Sequence, residues 1–224
     1  MKTRPPLLPM VLAILAVLCG TVAYASWLAI ARPPAFHGTA YAPAPAPGFR
    51  LADTQGRPVT LDTYRGRPVL VFFGYTRCAD VCPLTLDRLA RTVRELGSRA
   101  GGAQIVFVSV DPANDTPAVL RDYAARFGGN VTALTGDSAT LATAWQGYGV
   151  YAMPREAGAG TTPHGEHGDH GDHAAAATPA SRTPQLTHSG VVYGIDRAGN
   201  LRVIITEGAR VESMRDDIRT LARL

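Results

Sequence analysis

Cysteine is nearly absent from this chain, with 3 in 224 residues. Cys19 lies inside an N-terminal apolar run, so Cys78 and Cys82 are the only cysteines outside it. Two thiolates are too few for the four protein ligands that structural zinc and iron–sulfur sites generally need. Lysine is scarcer still. Lys2 is the only one, and the net charge of +4 rests almost wholly on arginines spread along the chain. No basic stripe with interleaved aromatics occurs, which argues against nucleic acid as a partner. No Ser–His–Asp pattern, phosphate loop or nucleotide motif is visible. There is no long internal repeat.

Charge is absent from Leu7 to Ala31. About 20 apolar residues suffice to cross a bilayer. Lys2 and Arg4 precede the run and favour a cytoplasmic N-terminus, and Tyr24 and Trp27 lie near its outer end, where amphipathic aromatics settle at the lipid–water boundary. Residues 1–32 are therefore read as a single-pass anchor in a bacterial cytoplasmic membrane, with the remainder facing the periplasm or cell exterior. A cleaved signal sequence is the rival reading, because Ala23-Tyr24-Ala25 resembles a small-residue cleavage site. The apolar stretch runs on past that site, which favours the anchor. Leu18 is too large for a lipoprotein pattern at Cys19, which reads as an apolar filler. Export would place the cysteine pair where an unattended dithiol closes to a disulfide.

Residues 33–48 read as a linker. Pro43, Pro45 and Pro47 alternate and predict a semi-rigid polyproline spacer. The folded domain is expected over 49–224. Val59 to Leu61 reads as a short strand. Pro68 to Tyr75 is apolar on both faces and reads as a central strand. Pro83 in a first helical turn opens a helix to about Leu96, with Leu86, Leu89, Ala90, Val93 and Leu96 on one stripe. A second buried strand spans Ile105 to Val110, and a loop follows. Thr116 caps the next helix, with Pro117 as its first residue and Gly128-Gly129 at its close. Val131 to Leu134 is a strand, and Asp137 caps a helix carrying Leu141, Ala144 and Trp145. A mobile insertion is expected at about 154–185, rich in Ala, Gly, Thr, Pro and His. Gly190 to Ile195 and Leu201 to Ile205 form a hairpin, and a helix with Val211, Met214, Ile218 and Leu221 ends the pattern. This order predicts an α/β thioredoxin-like fold, a central mixed sheet flanked by helices and preceded by one transmembrane helix.

Cys78 and Cys82 stand where a strand hands over to a helix. Such a pair either cycles between dithiol and disulfide or holds a soft metal. The helix start is expected to favour thiolate over thiol. A purely structural disulfide is the third reading, and a bridge closing so small a loop removes little unfolded-state entropy. Copper accepts two sulfurs and an imidazole, which directs attention to His188, just before a strand. Asp111 and Asp115 read as turn and capping groups. His164, His167, His170 and His173 recur every third residue with Glu166, Asp169 and Asp172 between them. They form either a solvated polar loop or an auxiliary collector of divalent ions.

The run Phe73-Gly74-Tyr75-Thr76-Arg77-Cys78-Ala79-Asp80-Val81-Cys82-Pro83 resembles the cysteine motif of the Sco/SenC copper chaperones. Ser109 to Pro117 resembles the family's second signature. Ala133 to Gly136 and Tyr148 to Tyr151 follow in order, and His188 sits where the family has its histidine. The resemblance covers about Phe49 to the C-terminus apart from the insert. It implies a membrane-anchored thioredoxin-like domain that binds copper through Cys78, Cys82 and His188. It further implies delivery to the binuclear copper centre on the copper-binding subunit of cytochrome c oxidase, with a thiol reductant or another copper chaperone as further partners. Two departures stand out. Thr187 replaces the usual acidic residue before the histidine, and Ala79 replaces the usual proline after the first cysteine. The alternatives to a chaperone are a thiol–disulfide oxidoreductase acting through Cys78 and Cys82 on the copper-site cysteines of an oxidase subunit, and a metal buffer dominated by the histidine loop.

Overall fold

The computed structural model describes residues 7–31, 35–150 and 190–224. The insertion expected at 154–185 lies outside the described residues. Two compact units are present, residues 1–35 and 36–224. The first contains helix α1, Leu7–Ala31. Its segment Leu8–Trp27 has a mean hydropathy of 2.2 and is long enough to cross a membrane.

The second unit is built on one eight-stranded sheet, whose strands are β1 (Thr39–Pro45), β2 (Arg50–Asp53), β3 (Pro58–Thr60), β4 (Val69–Gly74), β5 (Gln104–Ser109), β6 (Val131–Thr135), β7 (Val191–Ile195) and β8 (Asn200–Thr206). Its spatial order is β1-β8-β7-β4-β5-β6-β2-β3. The pairs β4–β5 and β5–β6 are parallel, and the others are antiparallel. Every residue of β4 is buried, which explains its unbroken apolar run: helices cover both faces of a central strand.

Helix α2 (Val81–Leu96) carries β4 over to β5. Leu86, Leu89 and Ala90 on its expected stripe are fully buried. Helix α3 (Pro117–Ala125) opens as predicted, with Thr116 Oγ1 accepting from Val119 N at 3.4 Å. Helix α4 (Ser138–Gly147) is capped by Asp137, which accepts from Thr140 N at 2.7 Å. Helix α5 (Val211–Arg223) packs on α2, with Thr92 Oγ1 donating to Met214 Sδ at 3.9 Å. The hairpin β7–β8 forms where the sequence reading put it. The fold is the expected mixed thioredoxin-like sheet.

One expectation fails. The stretch read as a polyproline spacer contains β1, which pairs antiparallel with β8 from Thr39↔Ile204 to Pro45↔Asn200. The pairing is interrupted between Ala40 and Ala44. Proline tolerates an edge strand, where a missing N–H costs no ladder bond. The chain before β1 is tied down as well. His37 N and Gly38 N donate to the Asp217 carboxylate of α5 at 2.6 and 3.0 Å. The folded unit therefore begins before Thr39 rather than at residue 49.

Candidate metal centre

The loop from Tyr75 to Asp80 leaves the end of β4 and turns straight into α2, which sets Cys82 in the first helical turn. Cys78 and Cys82 are not joined in a disulfide. Their surroundings differ. Cys82 is fully buried, whereas Cys78 is partly exposed. Cys78 Sγ accepts the backbone N–H of Cys82 at 3.4 Å, so the first sulfur sits over the opening turn of the helix. Cys78 N in turn donates to Tyr75 O at 3.3 Å.

Burial pushes the Cys82 thiol well above its ordinary range, and the neighbouring Cys78 adds to the effect. The expectation that the helix start would favour thiolate is therefore not met at Cys82. Desolvation of the charged form outweighs the backbone donors. Tyr75 is pushed up to about 12, first by burial and then by the two cysteines beside it.

The space around Cys82 is tight. A Cβ on Gly74 would lie 2.9 Å from Cys82 Sγ and 2.8 Å from Phe107 Cε2. Glycine at the end of β4 is thus what lets the buried sulfur approach the sheet.

The loop preceding Cys78 is joined to the loop after β5. Asp115 is 1% exposed, and its Oδ1 accepts from Thr76 N at 3.1 Å and Thr76 Oγ1 at 2.6 Å. Its Oδ2 accepts from Ser109 Oγ at 2.6 Å. Burial raises the Asp115 carboxyl despite the Ser109 and Thr76 donors that work to lower it. Next to it, Arg77 Nη2 donates to Asp111 Oδ2 at 2.8 Å, and Asn114 Nδ2 reaches both oxygens of the same carboxylate. Trp145 Nε1 donates to Ser109 O at 3.1 Å. Asp111 and Asp115 do shape their own turn, with Asp115 N donating to Asp111 O at 2.9 Å. Sequence reading missed that both carboxylates also hold the cysteine loop. The partners Thr76 and Asp115 are 39 residues apart, beyond any local signal.

His188 lies outside the described residues, as do His164, His167, His170 and His173. Among the described residues no group of three or more His, Cys, Asp or Glu forms a metal cluster. The carbonyl of Gly190 accepts from Glu207 N at 3.0 Å. A Cβ on Gly190 would run into the Glu207 carboxylate and lie 3.4 Å from Val81 Cγ1. The start of β7 therefore packs beside Val81, the residue before Cys82.

A family model described as SCO1/SenC matches residues 38–223. The chain is 36% identical over 110 residues to Protein SCO2, mitochondrial, of Saccharomyces cerevisiae, a match covering 48% of this chain and 36% of that protein. The chain thus spans only about a third of the length of that relative. The structure of Bradyrhizobium japonicum ScoI with copper bound superposes with a TM-score of 0.61 at 29% identity, covering 78% of this chain and 98% of that one. Apo Sco1 from Thermus thermophilus superposes with a TM-score of 0.65 at 29% identity, covering 85% and 98%. The matched span holds the cysteine loop, its carboxylate ties and the whole of the sheet, and the chain belongs to the SCO1/SenC family.

Proposed function

We propose that this chain is a copper-carrying Sco protein acting in cytochrome c oxidase assembly. Copper is its cargo, held by Cys78, Cys82 and His188 and passed to the binuclear copper centre on the oxidase copper-binding subunit. Helix α1 anchors it in the cytoplasmic membrane of a bacterium, with the sheet domain on the periplasmic or outer side. The donor set suits the ion: soft sulfurs favour Cu(I), and a single imidazole completes a three-ligand site.

The observation that carries the reading is the packing of Gly190 on Val81. Two residues of chain reach about 7 Å. Gly190 follows His188 by two residues, and this short tether to the helix that carries Cys82 supports His188 as the third ligand. Copper loading requires both sulfurs reduced and releases their protons, so it is gated by redox state and pH.

The test is His188→Ala in the reduced protein. Tight copper binding should be lost while thiol–disulfide exchange persists. Parent-like copper affinity in that variant overturns the three-ligand site. A second reading, reduction of an oxidase subunit's cysteines, draws on the contrast between a partly exposed Cys78 and a buried Cys82, which suits an attacking and a resolving thiol. It requires exchange activity that survives His188→Ala and supports oxidase assembly without copper binding. The histidine-rich segment is assigned the collection of copper ahead of the main site. Deleting residues 161–178 should then slow uptake at limiting metal, and unchanged uptake removes that role.

A further inference from the structure

The first tie between the two loops is a buried carboxylate with all its bonds directed at one purpose. Asp115 is 1% exposed and makes no salt bridge among the described residues. It spends three short bonds instead: two on Thr76, one on the backbone N–H and one on the hydroxyl, and a third on Ser109 at the end of β5. Ser109 Oγ also accepts Asp111 N at 3.0 Å, which closes the network onto its own loop. A buried carboxylate is retained against its desolvation cost only where such bonds are made. Thr76 stands two residues before Cys78. Val110 N donates to Gly74 O at 2.8 Å, so the strand ends beneath the network are also joined.

We infer that Asp115 is a positioning residue for the copper site: by gripping Thr76 it holds the loop that presents Cys78 in a metal-ready shape before copper arrives. This rests on the copper-carrying reading and adds to it a residue that acts through Thr76 rather than as a ligand. Without the grip, residues between Thr76 and Asp80 must be ordered at the moment of binding, and that ordering opposes affinity.

The experiment uses the reduced full chain in detergent, titrated with Cu(I) against a competing chelator. In parallel, the alkylation rate of Cys78 by iodoacetamide is followed on metal-free protein. Asp115→Ala should weaken Cu(I) binding by about 10–100-fold, the usual effect of losing a group that orients ligands. It should also change the Cys78 alkylation rate. Asp115→Asn can still accept both Thr76 bonds, so it should recover most of the affinity. Asp53→Ala removes another buried carboxylate, on β2, three strands from β4 in the sheet, and should lower stability while leaving Cu(I) affinity unchanged. If Asp115→Ala fails to fold, Thr76→Val removes one bond only and should show the same direction of change. Parent-like affinity in Asp115→Ala or Thr76→Val overturns the inference, as does an Asn variant no better than Ala. A parent chain that binds no Cu(I) through its cysteines overturns the copper reading instead. The alkylation rate then decides the role of Asp115 alone, and an unchanged rate in Asp115→Ala removes it.

Discussion

A single missing methyl group sets the approach of Cys82 to the sheet. Gly74→Ala would force its Cβ against both Cys82 Sγ and Phe107, two fully buried neighbours with no room to give. We expect a loss of about 1–3 kcal/mol, as for other overpacked cores, measurable as a lower urea midpoint, together with weaker copper binding. The proton balance at the same residue gives a second expectation. Burial holds Cys82 protonated, so at the proposed site copper has to displace that proton, and apparent affinity should rise with pH in a competition titration. A flat response across the neutral range contradicts the thiolate site. Much of this was legible beforehand. The cysteine spacing marked the pair, and the apolar run before it marked a buried strand end. The grip of Asp115 on Thr76 was not, because an Asp before Thr-Pro reads equally well as a turn group. Nor was the protonation of Cys82, which depends on depth rather than on neighbours in sequence.

At the level of elements, the helices announced themselves and the edge of the sheet did not. Helices α2 and α5 carry clear stripes, and α3 and α4 carry side-chain caps, so their starts fell where expected. Thr116→Ala should cost about 1 kcal/mol through loss of the α3 cap, read by thermal unfolding. Strand β1 has every side chain exposed, so it has no alternation to betray it, and its prolines imitate a spacer. Strand β2 is only four residues long and went unread. The caps also set an acid response. The backbone N–H of Thr140, then its hydroxyl, hold the Asp137 carboxyl below the ordinary range. Burial would raise Asp53, but donors from Arg57 and Gln55 outweigh it and leave it lowered too. A lowered carboxyl stabilises the fold fully above its unfolded value, and that contribution is lost as pH falls through the folded value. Asp115, raised by burial, runs the other way: its contribution is present below the unfolded value and lost as pH rises through the folded one. Asp137→Asn keeps an acceptor at the cap, so it should flatten the acid limb of a stability–pH curve while leaving the neutral plateau in place. An acid limb as steep as the parent's contradicts the assignment.

For the molecule as a whole, the question is where the folded unit starts. A chain beginning at Phe36 keeps β1 and the two backbone donors to Asp217. A chain beginning at Phe49 loses both and leaves a carboxylate that is 1% exposed without those partners. An unsatisfied buried acceptor costs about 1–3 kcal/mol, so the shorter form should unfold several degrees lower in calorimetry, at about 2–4 °C per kcal/mol for a domain of this size. Equal melting temperatures would restore the spacer reading. Sequence placed the centre of the sheet correctly because central strands must be apolar throughout. It misplaced the boundary because an edge strand held by backbone pairing and a distant carboxylate leaves no mark in residue type. The bond from Trp145 to Ser109 has a practical side. Trp27 in α1 is the other of the chain's two tryptophans, so in a form lacking α1 the fluorescence of a single indole reports on the loop that grips the cysteines. Occupation or release of the metal can then be followed as a change in emission, in real time and without any added dye.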